Sequence, residues 1–576
     1  EEPMTEVVIT GSNLKRTNVD GVLPVSVISQ DVMKLRDALT PIEMLTALPQ
    51  VTGVPANEAP RGGSGARGDI STISMRGLGA SSTLVLLNGR RLTAHPTTEN
   101  MDFAPNVNQL PTQGLARIEV LRDGASSIYG SDAVAGVVNY ITARDFRGTQ
   151  TRVRFGKPER PGGENVDVTV THGNDFMDGR LRVLATLDWF DRDGIYLRDR
   201  EFSRTAQNFT RVPPPFNNPG GPFDGRSSTG VYWNFRVGDS TQATYFRPVD
   251  GVMTITNVAP TRANNPEFYG DYNDYLMGIG DSRRFNVFTG VEFDISDNLT
   301  WFTDLLYYKA DSLLIRNPLG LNAPAADYLA PMSVDNPYNP FGSRFYHPTG
   351  EPNEDGTPRL VGEPQPITLV SGPLSDIPER IMVSGQTWRV VSGLRGRLAD
   401  RWDWEVGALK SRSYAIDRNW PHARESLMHL ALARTDPESA YNPFGYTFRV
   451  EGDRVVADQP HTNAMGVYHS FMQTWVRYGT GELTSADARI SGPILDMWAG
   501  SISAAFGAEY RTEKYADWRP PYHGLTPPGS GLDPNNNDFS PASPKPDAAG
   551  DRKVKSAYAE VFMPLVSRAN DIPFVR

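Results

Sequence analysis

Asn165-Val166-Asp167-Val168-Thr169-Val170-Thr171, a polar stretch from Asn174 to Gly179, and Leu181-Arg182-Val183-Leu184-Ala185-Thr186-Leu187-Asp188-Trp189 read together as one long hairpin. Val166, Val168 and Val170 alternate with Asp167, Thr169 and Thr171, and Leu181, Val183, Ala185, Leu187 and Trp189 form the next apolar set. A period of two sends alternate side chains to opposite faces of a strand. The pattern recurs where Phe285, Val287, Val291, Phe293 and Ile295 interleave with Asn286, Glu292 and Asp294. It recurs again where Trp388, Val390, Leu394 and Leu398 interleave with Arg389, Arg395 and Arg397. Charges at that spacing do not fit the core of a sandwich; they suit a wet lumen. Val168→Arg should therefore meet lipid, and Thr169→Arg should be tolerated.

Working outward, the connections alternate in length. Asn174–Gly179, Ser296–Asn298, Ala399–Arg401 and Gly492–Met497 read as tight turns, whereas long segments join Asp193 to Ser282 and Asp417 to Thr480. Short turns at one end and long loops at the other predict an antiparallel transmembrane β-barrel. Trp189, Phe190, Trp301, Phe302, Tyr307, Tyr308, Trp402 and Trp404 are expected as interfacial girdles. Strands starting near 149, 164, 180, 282, 299, 385, 402, 480, 498 and 553 make about ten, with another beginning at Phe574.

The 576 residues hold 57 basic and 67 acidic side chains, a net charge of −10, which gives no electrostatic footprint for nucleic acid. No apolar run approaches the roughly 20 residues of a spanning helix. The absence of Cys removes disulfides, thiolate metal sites and cysteine nucleophiles. No basic and apolar leader precedes Glu1, so either export is not used or a signal peptide has been removed, and Glu1-Glu2-Pro3 reads like a mature terminus. Neither His422 with His429 nor Gly62–Gly68 has the spacing of a zinc or phosphate site, and no catalytic constellation stands out.

Ahead of the barrel, residues 15–147 read as a compact α/β unit. Two short helices are expected within Asp31–Leu48, interrupted at Pro41, followed by strands at Thr72–Met75, Thr83–Leu87, Arg117–Leu121 and Val137–Thr142. Ile73-Ser74-Met75-Arg76-Gly77-Leu78-Gly79, Leu84-Val85-Leu86-Leu87-Asn88-Gly89-Arg90-Arg91 and the long run from Leu115 to Asn139 resemble the plug of the TonB-dependent outer-membrane receptor family. That resemblance implies an N-terminal plug inside a 22-stranded barrel in the outer membrane of a Gram-negative bacterium. It also implies active import of a ferric siderophore or oligosaccharide, without enzymatic activity or a bound cofactor.

The resemblance extends to residues 1–14, where Glu6-Val7-Val8-Ile9-Thr10 is similar to a TonB box, an extended run that can add to a partner's sheet edge. Arg76, Arg117, Glu119, Arg122 and Asp123 are expected to gate the plug through ion pairs. Arg61, Arg67, His95, Asn100, Trp233, Tyr269, Tyr272, Tyr338 and Tyr441 are expected to face the solute. Tyr-Asn-Pro-Phe-Gly occurs at 338–342 and 441–445 and reads as a loop-folding device. The expected partners are TonB, outer-membrane lipid and the solute. Residues 148–576 are expected to be only part of a barrel, completed by a continuation of the chain or a second polypeptide, because ten strands leave no room for a plug. The alternatives are a passive porin and a glycan-binding or glycan-cleaving β-protein.

Overall fold

The computed structural model describes residues 10–12, 14, 24–38, 40–46, 48–51, 68–96, 103–227, 229–322, 330–540 and 542–565. The N-terminal unit is built on a five-stranded sheet of β1 (Val25–Ser29), β2 (Thr83–Leu87), β3 (Arg90–Arg91), β4 (Leu115–Leu121) and β5 (Gly136–Thr142), in the order β1-β4-β5-β2-β3. Helix α1 (Gln30–Arg36) is capped by Ser29, whose hydroxyl accepts from the Val32 amide. The second expected helix is absent. Residues 40–46 form turns with i→i+3 bonds from Glu43 to Thr40 and from Leu45 to Ile42, which bury Ile42, Met44 and Leu45. Thr72–Met75 is not a strand either; it makes only an isolated bridge, Val51 to Met75.

The main path of the second, fifteen-stranded sheet is a sequential antiparallel meander of ten strands. They are β6 (Gly148–Gly156), β7 (Asn165–Phe176), β8 (Leu181–Arg192), β9 (Asp281–Ser296), β10 (Leu299–Asn322), β11 (Ile367–Leu398), β12 (Trp402–Arg424), β13 (Met472–Met497), β14 (Gly500–Trp518) and β15 (Ala548–Phe562). Each pairs with its neighbours in sequence, and β6 and β15 are the two ends of the path among the described residues. Membrane crossing needs about 9–11 residues per strand, so β10 to β13, of 23 to 32 residues, extend well beyond the bilayer on the long-loop side. The starts expected near 385 and 480 are therefore too late. The β10–β11 ladder shifts register on either side of Pro318, and β11 continues through Pro373 and Pro378. Such irregularities let proline sit inside a strand. Gly492–Met497 is likewise strand rather than turn, with a register shift between Pro493 and Leu495.

The facing of the strands matches the alternation. Val166, Val168 and Val170 are half-exposed, while Asp167, Thr169 and Thr171 are buried. Three girdle aromatics differ: Phe190, Phe302 and Tyr308 point inward and are buried. The lumen behind β7 and β8 is filled rather than wet, because the Thr112 hydroxyl of the N-terminal unit donates to Asp188 at 2.8 Å and Thr169 packs beside it. Thr169→Arg is accordingly expected to displace that unit and expose it to protease. Val168→Arg is expected to cost roughly 2 to 4 kcal/mol near the midplane and to lower the temperature at which the SDS-resistant folded band is lost. An unchanged band for Val168→Arg would reverse the facing.

Candidate functional site

Three sets of contacts seat the N-terminal unit in the curved sheet. The first joins its strand ends to the wall near the short turns. Arg90 follows the Asn88-Gly89 turn and donates Nε and Nη2 to the two oxygens of Asp487 at 2.9 and 2.8 Å, with Nη2 also reaching Glu405 Oε1 at 2.7 Å. Burial alone would lower the Arg90 pKa, but Asp487 and Glu405 hold it above its ordinary value. A Cβ at Gly407 would lie 2.4 Å from Arg90 Nη2, so glycine there is what admits the guanidinium. Arg144, just past β5, pairs with Glu292 and places Nη2 2.9 and 3.1 Å from the two oxygens of Asp304. Asn88 also donates to Asp304, at 2.9 Å. Arg389 of β11, 1% exposed, donates to the carbonyls of Leu87, Arg90 and Arg91.

The second set reverses the signs. Asp132 accepts from Arg91 at 2.7 Å and lies 3.8 Å from Arg511 and 3.5 Å from Arg552 of the wall. Asp69 accepts from Ser282 Oγ at 2.7 Å and from the Tyr308 hydroxyl, with Arg284 at 3.5 Å. The third set is apolar: Leu184, Phe288, Leu306, Tyr308 and Ala310 of the wall belong to the same buried cluster as Leu45, Val107, Leu110 and Tyr140 of the N-terminal unit.

At the other face of that unit, the N-terminal segment is clasped. Thr10 is buried, and its amide and hydroxyl both donate to Glu119 Oε2, at 2.7 and 2.6 Å. Asn139 Nδ2 donates to Thr10 Oγ1 at 3.1 Å, Arg117 Nε donates to Glu119 Oε1 at 2.7 Å, and the Gly11 amide donates to the Tyr129 hydroxyl at 3.3 Å. Ser12 Oγ reaches Glu560 of β15 at 2.6 Å.

Residues 17–137 match the family model "TonB-dependent Receptor Plug Domain". The N-terminal unit is a plug domain of the TonB-dependent receptor type. An iron-regulated outer membrane virulence protein of Vibrio cholerae serotype O1 is 35% identical over 142 residues, which are 24% of this chain and 20% of that protein. Similar solved structures include the ferric enterobactin receptor PfeA of Pseudomonas aeruginosa, 14% identical, over 94% of this chain and 56% of that one, with a TM-score of 0.48. The siderophore receptor PirA of Acinetobacter baumannii is 12% identical over 93% of this chain and 54% of that one, with a TM-score of 0.45. The match thus spans about a fifth of the V. cholerae relative and just over half of these receptors. The fold is that of a plug with a barrel wall, and the V. cholerae relative is an outer membrane protein.

The structure distributes the sequence-predicted residues unevenly. Glu6, Val7, Val8 and Ile9, together with Arg61, Arg67 and Asn100, lie outside the described residues. Thr10, Arg117 and Glu119 meet in the clasp. Arg76 donates to the carbonyls of Val134 and Ala135, and its approach to Asp123, 3.8 Å, is solvent-exposed. Arg122 is held by its amide on the Pro24 carbonyl. Among the described residues, the hydrogen bonds and ion pairs of Arg76, Arg117, Glu119, Arg122 and Asp123 stay within the plug, and the wall is held instead by Arg90, Arg91, Arg144, Asp69 and Asp132. The signal in sequence was the inward-facing carboxylates Glu292, Asp304, Glu405 and Asp487 near the short turns.

Trp233, Tyr338 and Tyr441 are buried in one loop core. The Tyr441 hydroxyl donates to the Leu374 carbonyl at 2.7 Å and that of Tyr338 to the Pro437 carbonyl at 2.9 Å. In both pentapeptides the asparagine oxygen accepts from the amide two residues on, Phe341 and Phe444, closing equivalent turns. Tyr269 donates to the Pro260 carbonyl and carries Arg262 on its face. His95 is buried in the lumen, where burial and then Arg477 lower its pKa to about 3, so it is neutral at neutral pH. Of the six that are described, Tyr272 alone lines the large cavity at the long-loop end.

Proposed function

We propose that this chain forms the plug and the plug-bearing wall of an outer-membrane active importer. It takes a ferric siderophore or oligosaccharide from the long-loop end and delivers it to the periplasm when TonB draws on the N-terminal segment. Residues 1–14 are the TonB-box segment, 15–147 the plug and 148–576 the barrel wall. The observation that carries this reading is the clasp: the chain leaving the proposed box is tied at Thr10 to Glu119 on β4 and to Asn139 on β5. A pull on the box is thereby applied to the middle of the plug sheet. The iron-regulated relative supports an iron chelate as the solute.

Uptake of a radioiron-labelled chelate is expected to stop in cells lacking TonB or treated with an uncoupler, while binding at the surface persists. Uptake that continues under both conditions would favour a passive porin.

A further inference from the structure

On the outer face of β12 to β15 the side chains change character in three steps from the short turns to the long loops. Residues directly opposite each other in an antiparallel ladder share a face. The register therefore sets Val406, Ala488, Ala508 and Ala557 in one row, Lys410, Thr484, Thr512 and Lys553 in a second, and Ile416, Tyr478 and Trp518 in a third. Ser411, Leu483 and Arg511, which alternate with them, are buried on the plug side, so these rows face outward.

The first step is apolar. Counted from Trp402, a crossing of about 9–11 residues ends at Lys410 or Arg412, which puts the second step at the edge of the apolar band. Lys410, Lys514, Lys553 and Lys555 are exposed there, and their side chains make no ion pair or hydrogen bond among the described residues. Two acids share the face: Glu482, 3.5 Å from Arg412, and Asp551, opposite Lys514 in the ladder. Five cations thus meet two carboxylates. The chain has only nine lysines, and four of them stand in this patch, whereas the ion pairs that seat the plug use arginine. On β8 to β10 the corresponding outward cations have their own acids, Arg283 with Asp191 at 2.8 Å and Lys309 with Asp311 at 3.6 Å. An ammonium on a flexible stem can lie along an apolar surface and raise its charge to a phosphate.

The third step is aromatic. Tyr414 stands four residues beyond Lys410, and Trp518 four beyond Lys514, about 13 Å along the strand at roughly 3.3 Å per residue. Trp518 stacks on Tyr478 with ring centroids 5.6 Å apart and planes 18° apart. Girdle aromatics belong at the membrane boundary, whereas these rings lie on the water side of the lysines. There the apolar C–H face of a sugar ring is a fitting partner for an aromatic face.

We infer that the outer face of β12 to β15 binds a phosphorylated glycolipid of the surrounding leaflet. Its acyl chains lie on the alanine-rich band, its phosphates on Lys410, Lys514, Lys553 and Lys555, and its sugars on Tyr414, Tyr478 and Trp518. The inference goes beyond import and shares with that reading only the outer-membrane placement.

The test titrates the full chain, in a non-ionic detergent, with three fluorescently labelled lipids. They are a diphosphorylated glucosamine-disaccharide lipid carrying core sugars, the same lipid without its phosphates, and phosphatidylglycerol. The first is expected to bind at least tenfold more tightly than either of the others. Lys553→Gln together with Lys555→Gln is expected to weaken it tenfold or more, and Trp518→Ala to weaken it while leaving phosphatidylglycerol unaffected. Lys309→Gln, which removes a cation already answered by Asp311, is expected to change nothing. Lys553 and Lys555 have no side-chain partner to lose, so their variant remains informative if Trp518→Ala misfolds. Phosphatidylglycerol binding as tightly as the glycolipid, an unchanged affinity in the lysine variant, or an equal loss in Lys309→Gln overturns the inference. A chain that holds the glycolipid and imports nothing would remove the import reading alone. Import without glycolipid binding would remove this inference alone.

Discussion

Arg144→Ala is expected to open an ion leak past the plug. Its guanidinium bridges Glu292 and Asp304 at the point where the chain leaves β5 for the wall. The two acids are not equally dependent on it. Glu292 retains Arg182 at 3.3 Å and Arg395 at 2.8 Å. Asp304, 2% exposed, retains only the Asn88 amide among its hydrogen-bond donors in the described residues. Removing one member of a buried pair costs about 3–5 kcal/mol, and because Arg144 is 20% exposed the lower end is expected. Planar-bilayer conductance should rise, and Arg144→Ala with Asp304→Asn should recover part of the seal, because the uncompensated charge is then gone. A silent single variant would show that the apolar contacts alone hold the plug.

Val8→Pro is expected to abolish uptake while leaving solute binding at wild-type strength. Proline removes a main-chain donor and fixes φ, so a segment that pairs by adding a strand to TonB loses a ladder bond at its centre. The cavity at the long-loop end lies away from the clasp, and Thr10 holds the plug side of the segment independently of position 8. Uptake at the wild-type rate would place the TonB contact elsewhere. Loss of binding together with uptake would mean that the substitution disturbs the plug itself.

Strand existence and facing were legible because the period of two is a local property: Val166 to Thr171 reveals its two faces without reference to any neighbour. Strand ends were not. Proline at 318, 373, 378 and 493 reads as a terminator, yet bulges and register shifts carry the ladder past it. The plug was legible from its motif, but its seat was not, since Arg90 finds Asp487 across 397 positions of sequence. The conspicuous charges Arg76, Arg117, Arg122 and Asp123 turned out to serve the plug internally. The loop aromatics misled for a related reason. An exposed binding ring and a buried loop anchor have the same composition, and only the packing of Trp233, Phe235, Phe246 and Tyr441 distinguishes them.

The plug is attached unequally around its circumference. Toward β8, β9 and β10 its hydrophobic interior runs without a break into Leu184, Phe288, Leu306 and Ala310. Toward β12, β13, β14 and β15 the contacts are mainly polar ones that water can replace, those of Arg90, Arg91 and Asp132 with Ser12 on Glu560 and the Tyr515 hydroxyl on the Pro96 carbonyl, beside an edge-to-face contact of Phe103 with Tyr515. Wholesale ejection would expose the apolar seam at about 25 cal/mol per Å², whereas swinging the polar flank away exchanges protein partners for solvent. On the import reading the seam would act as a hinge line, and a passage opening along the opposite flank would let the plug return to the same register after every cycle.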